Sequence, residues 1–273
     1  MTSILTPGAA APDEFPASTS IVVENVTKTF SLRYHRTFKQ VTVAKMRGEK
    51  TKDDFQAVDD VSFTVEQGES IGLMGLNGSG KSTLLTLING TMKPDEGRVL
   101  TRGRIAGLIA TSAGFHPQLS GRENVFLNAA VFGLTEEETK DRFDDIAEFA
   151  NIGKHMESAV GNYSSGMSSR LGFAIAINVD CDIFLADELL AVGDRPFKRK
   201  CIEKMEEVRD SGRTLFYVSH AAGSVRKMCN RVLILEEGRL VFDGDVDEGI
   251  EYLQYDSDGD DDEREDEELG ADI

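Results

Sequence analysis

Residues 75–83 read GLNGSGKST, set between the apolar run ESIGLMG and the run KSTLLTLING. A strand must end there, the chain must curl through glycines, and a helix must begin at the lysine. That strand–turn–helix order demands α/β packing and fits G-x-x-x-x-G-K-[ST]. The residue types suit one chemistry. Gly75, Gly78 and Gly80 let the backbone curl so that its N–H groups face phosphate, with Asn77 and Ser79 between them. Lys81 pairs the β- and γ-phosphates, Ser82 ligates Mg2+, and Thr83 completes the loop.

The rest of the chain repeats the alternation of strand and helix. IVVENVTKTF (21–30) and AVDDVSFTVEQG (57–68) read as strands, and GRVLTRGRIAGLIA as one strand-like stretch. Helical patterns run from Gly121 to about Met156, then follow NYSSGM, and recur in RPFKRKCIEKMEEVRDSG, with Asp194 as N-cap and Gly212 as stop. IFLADE, RTLFYVSH, RVLILEEG and RLVFDG are strands, and DVDEGIEYLQY is the last helix. The expected fold is a largely parallel α/β core with an antiparallel β region near the N-terminus and a helical subdomain near 115–180. The expected organisation is a disordered lead-in (1–20), one folded domain (21–254) and an acidic tail (255–273).

The net charge of −18 is uneven. Residues 256–273 hold eleven acids and one Arg, net −10, which leaves a mildly acidic body of −8. Such a body is unsuited to nucleic acid. Cys181, Cys201 and Cys229 are far apart and read as buried free thiols of a reducing compartment. The first 20 residues lack the basic start and apolar stretch of a signal peptide. No apolar run reaches the ~18 residues that a membrane span needs. The expected location is cytoplasmic, with any membrane role supplied by a partner.

Three further motifs carry chemistry. IFLADE (183–188) ends an apolar strand in two acids. Asp187 is placed to support Mg2+, and Glu188 to orient or deprotonate an attacking water. VSH (218–220) brings His220 to the sheet edge where ligands of such folds bind. NYSSGM opens a helix, so its free N–H groups form an anion site.

In the order GLNGSGKST, YSSGM, IFLADE, LAVGD, VSH, these motifs resemble the nucleotide-binding subunit of an ATP-binding cassette (ABC) transporter, over about residues 21–254. The resemblance implies a P-loop ATPase using ATP and Mg2+, with Glu188 and His220 catalytic. YSSGM stands where the family has its LSGGQ signature, which binds the γ-phosphate of ATP held by the other protomer. Ser164, Ser165 and Gly166 would therefore act in trans, while Tyr163, Ser165 and Met167 depart from the family residues. YSSGM with Arg170-Leu171, GFHPQLSGREN, GRENVFLNAAVFGL and DELLAVGD resemble the polysaccharide-exporter branch: O-antigen, teichoic acid and, most specifically here, cell-wall galactan exporters of actinobacteria. The implied assembly is a homodimer on two copies of a membrane-spanning subunit at the cytoplasmic face of the membrane. Its implied substrate is a polyprenyl-pyrophosphate-linked glycan.

Some positions leave alternatives open. The adenine-stacking aromatic is Phe30, by its place after VTK, or Phe55. Ala110, Thr111 or Ser112 stands where most of the family has a Gln that touches Mg2+. The insertion from Arg33 to Lys52 holds seven Lys or Arg and one Glu. It is either a solvated basic loop or a surface for anionic lipid or the pyrophosphate head group. A soluble ABC-type ATPase not coupled to transport is the alternative function. Ribosome-acting members usually carry two cassettes and repair members a long coiled coil, and neither pattern occurs here. The stretch TKDD (51–54) mimics a guanine-reading motif but precedes the phosphate loop, the wrong order for a GTPase.

Overall fold

The computed structural model describes residues 15–33, 52–107, 114–187 and 194–253. Two sheets organise them. β1 (Thr19–Arg33), β2 (Lys52–Glu66) and β4 (Glu96–Thr101) form an antiparallel sheet in the order β2-β1-β4. The larger sheet holds β3 (Ser70–Met74), β5 (Ile105–Gly107), β6 (Ile183–Ala186), β7 (Thr214–Val218), β8 (Arg231–Glu236) and β9 (Arg239–Gly244). Its order is β5-β6-β7-β3-β8-β9, parallel throughout except for the β8–β9 hairpin.

β3, β6 and β7 are buried at every position, because both faces of the larger sheet are covered. Ile183 and Leu185 face one layer, where helix α1 (Lys81–Ile88) and the antiparallel sheet pack with Leu84, Leu85, Val61 and Phe63. Phe184 and Ala186 face the opposite layer. That layer contains α2 (Gly121–Val131), α3 (Glu136–Ala150), α4 (Ser165–Ile177), α5 (Arg195–Asp210), α6 (Ala222–Met228) and α7 (Val246–Leu253).

Local chemistry fixes the helix starts. Ser120 with Glu123, and Thr135 with Glu138, close capping boxes on α2 and α3. Asp194 caps α5, whose first turn contains Pro196.

Two expectations are corrected. The stretch GRVLTRGRIAGLIA is not one strand. It breaks at Gly103 (φ 93°), so that β4 joins the antiparallel sheet and β5 the parallel one. Asp182 accepts a hydrogen bond from the Arg104 N–H at 2.6 Å, and a Cβ on Gly103 would lie 2.3 Å from the same carboxylate. The strands β1 and β2 also run past 30 and start before 57, so the ends of the basic insertion are paired backbone, Arg33 opposite Lys52. The core of that insertion (34–51), the first 14 residues and the acidic tail lie outside the described residues.

Candidate nucleotide-binding site

β3 delivers the loop from the centre of the parallel sheet. Gly75, Gly78 and Gly80 all have positive φ (138°, 85° and 105°), and two of them also lack room. A Cβ on Gly75 would lie 2.2 Å from the Leu235 carbonyl oxygen, and one on Gly80 would lie 2.2 Å from that of Ala57. The loop is thus pressed against β8 on one side and β2 on the other. Gly238, in the β8–β9 turn, donates its N–H to the Ser79 carbonyl at 3.0 Å and accepts from Asp59 N at 2.8 Å. Residues 237–238 read as a mere hairpin turn in sequence. The positive φ of Glu237 and Gly238 is what aims this turn at the loop.

Lys81 is buried, and its ammonium donates to the carbonyls of Gly75 at 2.6 Å and Leu76 at 3.0 Å. Gly80 occupies the N-cap of α1 without a side-chain bond, so no side chain at the cap takes up the first-turn N–H groups. Ser82 and Asn77 are exposed and Thr83 half-buried. The Ser79 hydroxyl is buried with no hydrogen-bond partner among the described residues.

Asp187 follows β6 directly. The acid strand is not the immediate neighbour of the loop strand but the next but one, with β7 between. The parallel register (Leu73 beside Val218, Ala186 beside Tyr217) nevertheless brings the C-terminal ends of β3, β7 and β6 to one edge. Lys81 and Asp187 sense each other there. Burial lowers the Lys81 pKa below its ordinary value, opposed by the Asp187 charge. Burial raises that of Asp187, opposed by Lys81. Partial withdrawal from water dominates at both groups. His220 lies exposed at the same edge, two residues past β7. Glu188 and the candidates Ala110, Thr111 and Ser112 lie outside the described residues.

Phe30 and Phe55 are paired across β1 and β2. Phe55 is 48% exposed and Phe30 half-buried, with the Lys28 ammonium 5.9 Å from its ring centre. Neither is a core residue.

Ser164 caps α4, accepting from Met167 N at 3.2 Å. Ser164 and Ser165 are exposed, and the first turn of α4 contains no acid. A Cβ on Gly166 would meet only the Ser164 hydroxyl, at 3.9 Å. No hydrogen bond among the described residues joins Ser164–Gly166 to Gly75–Thr83.

Residues 58–191 match the family described as ABC transporter. The O-antigen export system ATP-binding protein RfbB of Klebsiella pneumoniae is 40% identical over 84% of this chain and 95% of its own length. The chain belongs to the ABC transporter family. Other relatives are longer than the match. AbcA of Aeromonas salmonicida, an ABC transporter protein, is 47% identical over 70% of this chain and 62% of its own. The teichoic acids export ATP-binding protein TagH of Bacillus anthracis is 42% identical over 84% of this chain, which spans 41% of that relative.

The fold is that of an ABC cassette. It superposes on an ATP-binding subunit of an ABC transporter with TM-score 0.68 at 22% identity, covering 89% and 97% of the two chains. It also superposes on the dimeric post-hydrolysis ATP-binding cassette MJ0796 bound to ADP and Pi, with TM-score 0.65 at 22% identity over 83% and 98%. Among the described residues of this cassette no helix is long and apolar enough to cross a membrane.

Proposed function

We propose that this cassette hydrolyses ATP to drive export of a lipid-linked polysaccharide, as a homodimer on two copies of a membrane-spanning subunit at the cytoplasmic face of the membrane. The substrate we favour is a polyprenyl-pyrophosphate-linked galactan or O-antigen-like glycan. The names of the relatives support the export reading. The structural observation that carries the mechanism is the separation of two anion-binding helix starts. One, at α1, is built into the edge that holds Lys81 and Asp187. The other, at α4, presents exposed Ser164 and Ser165 with half-buried Gly166, has no acid in its first turn, and among the described residues is not bonded to the first. A second chain, placed head to tail, supplies a phosphate to the second start.

In this reading the amides of Gly75–Thr83 bind the phosphates of ATP, and Phe30 stacks on adenine. The ammonium of Lys81 exchanges the Gly75 and Leu76 carbonyls for β- and γ-phosphate oxygens. Mg2+ fits the donor set: the exposed Ser82 hydroxyl and the Asp187 carboxylate are hard oxygen ligands, and this ion takes few protein ligands beside phosphate and water. The buried Ser79 hydroxyl, without a hydrogen-bond partner among the described residues, also favours a ligand rich in oxygen. When bound, the ion draws negative charge from the transferring phosphoryl group. Glu188 accepts a proton from the attacking water, and His220 holds the γ-phosphate from β7. Ser164, Ser165 and Gly166 of the partner chain close over the same phosphate.

The test uses two variants with lesions on opposite faces. Gly166→Asp places a charge where phosphate should approach, and the local space accepts a side chain. Lys81→Ala removes the phosphate lysine. Each alone should lose at least about tenfold in turnover, whereas Gly166→Asp chains should keep ATP affinity. In a mixed dimer one interface carries both lesions and the other neither, so mixing restores part of the activity, best read with the membrane subunit present. No restoration, together with weakened ATP binding by Gly166→Asp chains alone, overturns the trans arrangement. Loss of glycan export in cells with Lys81→Ala tests the coupling, and normal export with full loss of turnover returns the chain to a soluble, uncoupled ATPase.

A further inference from the structure

Ser164, Ser165 and Gly166 have few fixings of their own, so something beside them must set where they stand. The residue before them is held firmly. The Tyr163 hydroxyl donates to the His155 carbonyl at 2.6 Å, and that carbonyl also accepts from the Ser158 hydroxyl at 2.8 Å. Its ring packs against the helical-layer core. Burial raises the phenol pKa above its ordinary value, so it remains a protonated donor at physiological pH.

The hydroxyl also abuts the first residue of α2. A Cβ on Gly121 would lie 2.3 Å from it, a contact that only glycine permits. Around this point two irregular stretches are laced together. Gly121 N donates to Ser158 O (3.2 Å), Val160 N to Leu119 O (2.9 Å) and Gly161 N to Pro117 O (2.8 Å), with Ser120 bridged to Ala159. The α2 side of the lacing is pinned by fully buried Asn124. Its amide donates to the carbonyls of His116, Leu119 and Ser120, and its Oδ1 accepts from His116 N at 2.8 Å. Among the described residues the backbone ties between the two stretches stop at 161; beyond them Tyr163 is held by its own N–H, which donates to Val160 O at 2.9 Å, and by its side chain, which brings the lacing to the edge of the triplet.

We propose that Tyr163 is a positioning residue, whose hydroxyl fixes the first turn of α4, and with it Ser164–Gly166, to the start of α2. This rests on the reading that the triplet binds a nucleotide of the partner chain. Tyr163 touches no substrate. It acts by holding these three residues at the angle from which they close on phosphate. The structure thus assigns to the phenol a task that apolar bulk cannot perform.

The experiment is Tyr163→Phe in the full chain, with Gly166→Asp alongside. Removing one hydrogen bond should lower kcat and weaken ATP-driven dimerisation by about 3- to 10-fold, while ATP affinity of the single chain stays within about 2-fold. The melting temperature should stay within about 4 °C. Gly121→Ala, which crowds the hydroxyl, should also lower kcat, and should lower it less in the Tyr163→Phe background. Unchanged kcat and dimerisation in Tyr163→Phe, while Gly166→Asp abolishes both, overturns the positioning role and leaves the trans reading standing. Normal turnover in Gly166→Asp overturns the trans reading instead. Equal damage from Gly121→Ala in both backgrounds, or a kcat loss that follows the melting temperature, also overturns the role of the hydroxyl.

Discussion

Phe30 and Phe55 stand directly opposite each other across the antiparallel pairing of β1 and β2. Opposite residues in such a pair share one face of the sheet, so the two aromatic candidates for the adenine form a single surface. Phe30→Ala should weaken ATP binding by roughly 5- to 100-fold, the range of one base–aromatic stack. Phe55→Ala should change it less than about 2-fold. Titration of each variant with a fluorescent ATP analogue decides between them, and a larger effect at Phe55 would exchange their roles.

Glu188 follows Asp187 in sequence. Glu188→Gln should retain ATP affinity, because the phosphate loop is untouched, and lose about 100-fold or more in turnover. Chains should accumulate as an ATP-bound dimer on size-exclusion chromatography. Near-normal turnover removes Glu188 from the catalytic set.

Asp187 should show opposite effects on stability and activity. Its folded pKa is raised above the ordinary 3.8, mainly by burial. A carboxylate of that kind costs stability when charged, so the cost is present at neutral pH and is relieved as pH falls through the raised pKa. Asp187→Asn should therefore melt no lower than the parent at about pH 7, lose that advantage by about pH 4, and have little ATPase activity at either. A lower melting temperature at neutral pH would show that attraction to Lys81 outweighs burial.

The loop glycines should separate by mechanism. Gly75→Ala and Gly80→Ala drive a Cβ to 2.2 Å from a backbone carbonyl. They should lower the melting temperature markedly, by the equivalent of roughly 3 kcal/mol or more. Gly78 has no atom within 4 Å of its would-be Cβ, and only its φ of 85° opposes a side chain. Gly78→Ala should cost about 1 kcal/mol. Thermal melts of the three variants check the order.

The cysteines should be inert. Burial pushes Cys181 up to about 11, and Cys201 and Cys229 up to about 12. Thiolate is the reactive form, so labelling by a thiol-disulfide reagent at neutral pH should be slow until the chain is unfolded. Rapid labelling of the native chain would contradict this.

The phosphate loop was legible in sequence because its demands are local: Gly75 and Gly80 need space and positive φ, and Lys81 must start a helix. The two strands in GRVLTRGRIAGLIA were not, because apolar spacing continues across Gly103 and the sheet to which each half belongs is chosen by distant partners, Val23 for Val99 and Phe184 for Ala106. The place of β7 between β3 and β6 was hidden for the same reason, since crossovers set strand order. The helix start at NYSSGM was visible, though Ser164 as its cap was not. Nor was the role of Tyr163, because its partners, His155 and Gly121, are fixed by a loop crossing that no periodicity reports.

The antiparallel sheet changes character at Asp95. Before it, β1 has neighbours on both sides, ending with Thr27 beside Glu96. Past it, from Lys28 to Arg33, β1 is paired among the described residues only with β2. Asp95 grips both sides of that change: its N–H donates to the Thr27 carbonyl at 2.9 Å, and its carboxylate accepts from the Lys28 ammonium and the Thr29 N–H at 2.8 Å each. A two-stranded ribbon twists far more easily than a three-stranded slab. Asp95 is therefore a fulcrum, and Phe30 and Phe55 sit on the two-stranded arm just beyond it. A displacement applied at Arg33 and Lys52 should therefore reach the aromatic pair before it reaches the three-stranded part.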